Sequence, residues 1–229
     1  MRFAGWVAAL VLAGGMSATA APLPAPYPSD STNLIYNLLF CDQPQLFAQG
    51  ASGAPPPDVA LVLSDTADAA AVRAIADDAR KESRIRVLAY NWLRAHGQPV
   101  PARQLLGVIV EVPLDGGLDT LAVFADGRIR YINQSGKIVV FEDLPPQLKP
   151  KAGALLAAAQ AVVDRIGPWD KPRLPPPPKG AVRMTFLASD GLYFGQGAFA
   201  DLQRDPIGGP VLTNAGALLP LIIDMASKP

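Results

Sequence analysis

The chain has 229 residues, of which 50% are hydrophobic and 17% are charged, a composition typical of a globular protein and not of a disordered one. Its 20 basic residues balance 20 acidic ones, and without a basic patch the phosphate-driven binding of nucleic acid has no support. One cysteine and one histidine cannot supply a disulfide framework or a tetrahedral zinc site, so the composition predicts no metal and no cofactor.

The first 20 residues have the layout of a secretory signal peptide. Arg2 gives a positive start, residues 3–13 form a short apolar run, and residues 18–20 are small. We predict cleavage after Ala20. The apolar run is shorter than the roughly 20 residues of a membrane-spanning helix, so no stable membrane anchor is expected after cleavage. The mature protein is therefore expected in the periplasm or outside the cell.

Proline clusters divide the rest of the chain. Residues 21–58 are predicted to form a leader rich in proline and alanine, and residues 59–229 a single α+β domain. Within the leader, Ser31 or Thr32 could cap a short helix that has one apolar face. The proline arm at residues 175–178 is predicted to be a stiff spacer, with the alternative that an aromatic groove of a partner binds it.

Helical periodicity recurs along the predicted domain. Residues 65–95 carry two apolar stripes, and the polar residues 80–83 between them either break the helix or form the exposed face of one long helix. A second helix is predicted over residues 152–166. The last helix is expected over residues 213–225, where Pro220 would kink it or mark its first turn.

Strand patterns fill the intervals between these helices. Alternating apolar and polar residues, separated by Asp-Gly and Ser-Gly turns, predict antiparallel hairpins. The predicted strands cover residues 105–112, 120–125, 128–133, 137–141, 182–188 and 192–198. We therefore expect an α+β fold, with an antiparallel sheet of about five or six strands built from hairpins and packed by helices on one face.

Two hairpins resemble each other within the chain. Asp126-Gly127 and Asp190-Gly191 are each followed by a strand with an aromatic residue, then Gln and Gly, and later an apolar helix. One hypothesis is that two hairpin-plus-helix units pack side by side in one sheet. Common turn chemistry accounts for the likeness equally well.

No pattern of catalytic residues is evident. His96 lies at a helix end, where an imidazole commonly caps carbonyl groups or meets solvent, and Cys41 lies in an apolar run that favours a small buried side chain. A thiol nucleophile with His96 as its base is the alternative, as is an intermolecular disulfide. The sequence therefore predicts no catalytic residue.

Carboxylate pairs are the remaining source of acid and base chemistry. The candidates lie in or beside glycine-containing turns, where aspartate is typical because it binds the local backbone: Asp115, Asp119, Asp126 and Asp190. Glu111 is flanked by Val110 and Val112, and strand alternation predicts that it faces solvent.

If the two similar hairpins are neighbours, their polar and aromatic side chains would form one binding surface. These residues are Tyr131, Asn133, Gln134, Tyr193 and Gln196. The competing interpretation is ordinary packing between strands.

The function predicted first is that of an exported, non-enzymatic protein that binds a protein partner, as an accessory or assembly factor of the cell envelope. The alternatives are a hydrolase or transferase that uses carboxylates or Cys41, and a small-molecule sensor with a pocket between the sheet and the helices.

Overall fold

The computed structural model describes residues 22–49 and 53–227, so the predicted signal peptide lies outside the described residues. The helices, in chain order, are α1 (Asp30–Leu38), a 3₁₀ helix (Pro44–Ala48), α2 (Pro57–Val62), α3 (Ala69–Asp77), α4 (Ser83–Ala95), α5 (Lys149–Val163), α6 (Phe199–Arg204) and α7 (Gly208–Ala226). The strands are β1 (Leu105–Leu114), β2 (Gly117–Phe124), β3 (Ile129–Ile132), β4 (Ile138–Phe141), β5 (Ala181–Ala188) and β6 (Gly191–Ala198).

The six strands form one antiparallel sheet in the order β4-β3-β2-β1-β5-β6. The α+β class and the sheet built from hairpins are thereby confirmed. The Asp-Gly signals mark real turns, since Gly127 joins β2 to β3 with a φ of +92° and Gly191 begins β6 with a φ of +153°. Both resembling hairpins lie in this sheet, but β1 separates β2 from β5.

Helices cover both faces of the sheet, and the expectation of helices on one face is wrong. Side chains of α1 to α4 pack with Leu106 and Ile109 on one face, while α5 and α7 pack with Val108 and Val110 on the other. The cause lies in β1, which is apolar on both faces and therefore needs cover on both.

Part of the predicted leader belongs to the core. Tyr27, Tyr36 and Phe40 are buried in the cluster that also contains side chains of α4 and β1. Their rings contact one another edge to face, with centroids 5.8 Å apart for Tyr27–Tyr36 and 5.2 Å apart for Tyr36–Phe40. The chain before α2 therefore contributes directly to the helical layer on this face.

The helical stretch predicted over residues 65–95 forms two helices, α3 and α4. Asp68 caps α3, because its two carboxylate oxygens accept hydrogen bonds from the backbone N–H groups of Ala70 and Ala71, both at 3.3 Å. Asp78 then accepts a bond from Arg80 N at 3.0 Å and turns the chain toward α4. Of the two interpretations of residues 80–83, the break is confirmed.

The last helix begins at Gly208 and not at residue 213. Asp205 Oδ1 accepts hydrogen bonds from the N–H groups of Ile207 and Gly208, at 2.9 and 2.6 Å, and so satisfies donors at its first turn. Helix α7 is long and apolar enough to cross a membrane by length and composition, although one such helix is weak support for a span. It packs against α5 and the sheet, and Pro220 lies inside it.

All five tyrosines are buried, and burial raises the pKa of each phenol. For Tyr193 the pKa rises from 10.0 to about 12, because burial and the hydrogen bond to Asp190 both favour the neutral phenol. The folded protein therefore resists the loss of phenol protons in alkaline solution.

We expect the free energy of unfolding to fall as the pH rises from 10 to 12, the interval between the ordinary and the raised pKa of Tyr193. Over this interval the unfolded chain loses phenol protons that the folded protein keeps, so each increase in pH favours unfolding. Urea titrations followed by circular dichroism would measure the fall. The control is phenolate absorbance, whose midpoint should lie near pH 10.0 in the unfolded chain only; native protein that ionised there would contradict the prediction.

Candidate functional site

A cleft of about 720 Å³ lies beside α4 on the face covered by the N-terminal helices. The 3₁₀ helix, the end of α2, residue 169 and the start of β6 form its other walls. Its apolar lining consists largely of Phe40, Val62, Leu63, Val87, Leu88, Leu187 and Leu192. The cleft is thus built from segments that are far apart in the sequence.

Trp92 and His96 form a flat aromatic pair in this cleft. Their rings are stacked with centroids 3.7 Å apart and an angle of 13° between the planes. Trp92 Nε1 donates a hydrogen bond to Ser64 O at 2.9 Å. His96 Nδ1 lies 2.8 Å from Trp92 O, and Nε2 lies 3.2 Å from Asp65 O, so the imidazole lies between a carbonyl group of α4 and one of the segment between α2 and α3.

Trp169 supplies a second aromatic surface from the proline-rich arm, the name used from here on for residues 164–180 between α5 and β5. Its backbone N–H donates to Leu192 O at 2.7 Å, and its ring contacts Phe194 edge to face with centroids 4.8 Å apart. The ammonium group of Lys171 lies 5.5 Å from the centre of the Trp169 ring. The segment between α5 and β5 therefore contributes a wall of the cleft, and the spacer role of its residues 175–178 stays a prediction.

Arg173 anchors the arm to the N-terminal region. Its Nε donates to Asp42 Oδ2 and its Nη2 to Asn37 Oδ1, both at 2.7 Å. The guanidinium carbon lies 3.9 Å from the centre of the Phe40 ring, and only 6% of the Arg173 side chain is exposed. Asp42 also lines the cleft, so this ion pair connects the arm to the cleft wall.

Glu111 does not face solvent, contrary to the expectation from strand alternation. Its side chain is fully buried and accepts hydrogen bonds from Arg183 Nε at 2.7 Å and from the Tyr36 hydroxyl at 2.6 Å. Strand alternation does place Glu111 on the face of the sheet opposite to Val110 and Val112. Helix α1 covers the face that carries Glu111, so its side chain does not reach solvent. The sequence did not predict the Glu111–Arg183 pair, because the pair is buried only when the N-terminal helices pack over this face of the sheet.

Arg94 lies at the rim of the cleft and has no carboxylate within 4.0 Å among the described residues. Its Nη2 donates to Asn91 Oδ1 at 2.6 Å, and Asn91 Nδ2 donates in turn to Cys41 O at 2.9 Å. A β-carbon at Gly191 would come within 3.0 Å of Nη1, so glycine at that position lets the guanidinium approach the turn.

The two predicted binding tyrosines do not form one surface. Tyr131 lies on β3 and Tyr193 on β6, with β2, β1 and β5 between them, a separation of roughly 19 Å at 4.8 Å per strand. Both are buried, and their hydroxyls donate at 2.9 Å to Asp119 Oδ2 and Asp190 Oδ2 respectively. The insertion of β1 between the two hairpins separates them.

The other predicted binding residues lie in turns or on an edge strand. Asn133 Oδ1 accepts hydrogen bonds from the N–H groups of Ser135 and Lys137, at 3.0 and 2.9 Å. Gln134 Oε1 accepts one from Gly116 N at 3.1 Å, and Gln196 is exposed on β6. Whether these residues bind a partner stays a prediction.

Cys41 is fully buried, which confirms the structural interpretation of this residue. Its Sγ lies 3.8 Å from the carbonyl oxygens of Leu38 and Leu39. Burial raises the pKa of the thiol and disfavours the thiolate that a nucleophile needs. Within the described chain, no hydrogen bond joins Cys41 to His96.

The four turn aspartates each have a polar or charged partner. Asp115 lies 2.5 Å from Lys179 Nζ, and Asp126 accepts from Ser83 N at 2.6 Å. Asp119 and Asp190 accept the tyrosine hydroxyls described above, and none of the four lines the cleft. No group of three or more His, Cys, Asp or Glu side chains that could hold a metal ion occurs in the described parts of the chain.

A smaller, apolar groove of about 320 Å³ lies between α7 and the sheet, on the face that α5 and α7 cover. Its lining comes from β1, β2, β3, α7 and the first residue of α6, and consists of Val110, Val112, Leu114, Asp119, Leu121, Tyr131, Phe199, Leu212, Ala215, Gly216 and Leu219. At its rim Leu114 and Phe199 are 41% and 38% exposed.

No protein-family model matches the chain, and no curated protein matches it either.

Proposed function

We propose that the protein is an exported, non-enzymatic binding protein whose cleft holds a small organic molecule with a flat, apolar body. The observation that carries this proposal is the cleft of about 720 Å³ lined by two tryptophans. Ligand pockets typically occupy roughly 300–1,000 Å³ and combine apolar walls with a few polar groups. The N-terminal pattern of residues 1–20 supports export.

The polar groups of the cleft suit recognition. Asn91 and Arg94 are held by hydrogen bonds to each other and to the backbone, and the His96 ring is stacked on Trp92. Transfer through a covalent intermediate on the protein would need a nucleophile with an adjacent base. The buried thiol of Cys41, with a raised pKa and carbonyl neighbours, does not favour that chemistry.

Intrinsic fluorescence provides a direct readout. The chain has three tryptophans, and cleavage after Ala20 would remove Trp6 and leave Trp92 and Trp169, which both line the cleft. A metabolite panel screened by thermal shift should yield a ligand that also changes tryptophan emission. At a ligand concentration 100-fold above Kd, the stabilisation should be about 2.7 kcal/mol.

A cleft-filling variant tests the location of binding. Ala95 is exposed and lines the cleft, whereas Ala70 is exposed on α3 and does not line it. The thermal shift should disappear in Ala95→Phe and persist in the matched control Ala70→Phe. Ligands that stabilise both variants equally and leave tryptophan emission unchanged would contradict the proposal.

A protein partner is the second candidate, and the apolar groove beside α7 favours it. Leu114 and Phe199 are exposed at its rim, and a concave apolar surface of this kind suits a partner's side chains. Size-exclusion chromatography and pull-down from a periplasmic fraction would test this candidate. A solitary monomer under all conditions, with no captured partner, would count against it.

A further inference from the structure

We infer that the ligand of the cleft is an organic anion and that Arg94 recognises its acid group. This inference rests on the proposed function, because it assigns a chemical class to the ligand of the same cleft. Arg94 is the single lysine or arginine among the described residues that line the cleft.

The guanidinium of Arg94 keeps free hydrogen-bonding capacity. Nη2 donates to Asn91 Oδ1 at 2.6 Å, and this is the one side-chain hydrogen bond of Arg94 within the described chain. Asp190 attracts the guanidinium without forming an ion pair within 4.0 Å. Its Oδ2 accepts the hydroxyl of Tyr193, and its buried Oδ1 has no hydrogen-bond partner among the described residues. Arg173 and Arg183, in contrast, each have a carboxylate partner at 2.7 Å. Arg94 therefore has donors left for a ligand.

The carboxylates of the cleft do not neutralise Arg94. Asp42 is bound to Arg173, with Nε and Oδ2 2.7 Å apart. Asp65 is exposed and forms no ion pair with Arg94 within 4.0 Å, and Nη1 of Arg94 lies close to Gly191. An acid group on a ligand would consequently meet N–H groups of Arg94 that no carboxylate of the cleft occupies.

The surroundings in the cleft indicate the chemistry of the acid group and of the apolar body of the ligand. A planar guanidinium with unused N–H groups matches the geometry of a carboxylate or sulfonate. The exposed parts of Trp92 and Trp169, together with the apolar side chains that line the cleft, match a flat hydrocarbon or aromatic body. The cleft is thus suited to an aromatic or flat apolar acid.

Two dyes with the same aromatic body test the inference. Anilinonaphthalene sulfonate carries an acid group that phenylnaphthylamine lacks, and both fluoresce when they bind in an apolar site. We expect the wild-type protein to bind the sulfonate about tenfold more tightly or better, since hydrogen bonds to charged groups are stronger than neutral ones. Energy transfer from Trp92 and Trp169 should report binding in the cleft.

Substitutions then assign the effect to Arg94. Arg94→Gln should remove the preference for the sulfonate and leave the neutral dye unchanged. Arg165→Gln is the matched control, because Arg165 is exposed, bonds to Ala161 O and does not line the cleft. Gly216→Leu fills the groove beside α7 and should change neither affinity.

The outcomes separate the inference from the proposed function. If Ala95→Phe removes binding of both dyes but Arg94→Gln changes neither affinity, the cleft binds ligands and the anion assignment is wrong. If Gly216→Leu removes binding and Ala95→Phe does not, the dyes occupy the other groove, and both the proposed function and this inference are contradicted. Circular dichroism of each variant verifies that it is folded.

Discussion

Replacing Glu111 by alanine is expected to lower the free energy of unfolding by about 3–5 kcal/mol. Arg183 would then keep a buried charge without a counter-ion, since its side chain is only 2% exposed and Glu111 is its carboxylate partner. The Tyr36 hydroxyl would also lose its acceptor. Urea unfolding followed by circular dichroism at neutral pH measures the change.

A second variant distinguishes the loss of the charge partner from the loss of side-chain volume. Replacing the whole cluster by apolar residues of similar size, as Glu111→Leu, Arg183→Met and Tyr36→Phe together, removes all three polar groups at once. A buried ion pair replaced in this way often leaves stability nearly unchanged. If the combined variant is as unstable as Glu111→Ala, the unpaired charge of Arg183 is not the cause.

Replacing Arg173 by alanine is expected to cost about 2–3 kcal/mol and to release the proline-rich arm. The variant loses the hydrogen bonds to Asp42 and Asn37 and the contact with the Phe40 ring. Because Trp169 lies in the same arm and forms a wall of the cleft, binding in the cleft should weaken as well.

Limited proteolysis measures the release of the arm directly. Chymotrypsin should cleave after Trp169 faster in Arg173→Ala than in wild type. Lys179→Ala is the matched control, since Lys179 is an exposed cation of the same arm that pairs with Asp115 and does not line the cleft. Equal cleavage rates in Arg173→Ala and wild type would show that the arm is held by other contacts.

The effects predicted for Glu111→Ala and Arg173→Ala are connected through α1. Tyr36 donates its hydroxyl to Glu111, and its ring lies 5.6 Å from the guanidinium carbon of Arg173. Helix α1 therefore joins the buried ion pair of the sheet to the anchor of the arm. The N-terminal segment, predicted to be a leader, positions a wall of the candidate site.

The sequence by itself determined the local elements of the fold. Alternating side chains and Asp-Gly turns define the hairpins around Gly127 and Gly191, because turn geometry and strand periodicity depend on neighbouring residues. Apolar surroundings likewise predicted the burial of Cys41. These properties follow from short stretches of chain, and so they support the α+β class and its antiparallel hairpins.

Only the tertiary structure decided the strand order, the packing of α1 to α4 on the sheet face that carries Glu111, and the cleft. The position of β1 between the hairpins separates Tyr131 from Tyr193. The N-terminal helices cover the face that carries Glu111 and so make it a buried partner of Arg183. The cleft brings together residues as distant in sequence as Phe40 and Trp169. Long-range packing sets these features, and a local pattern carries no information about which distant segments will meet.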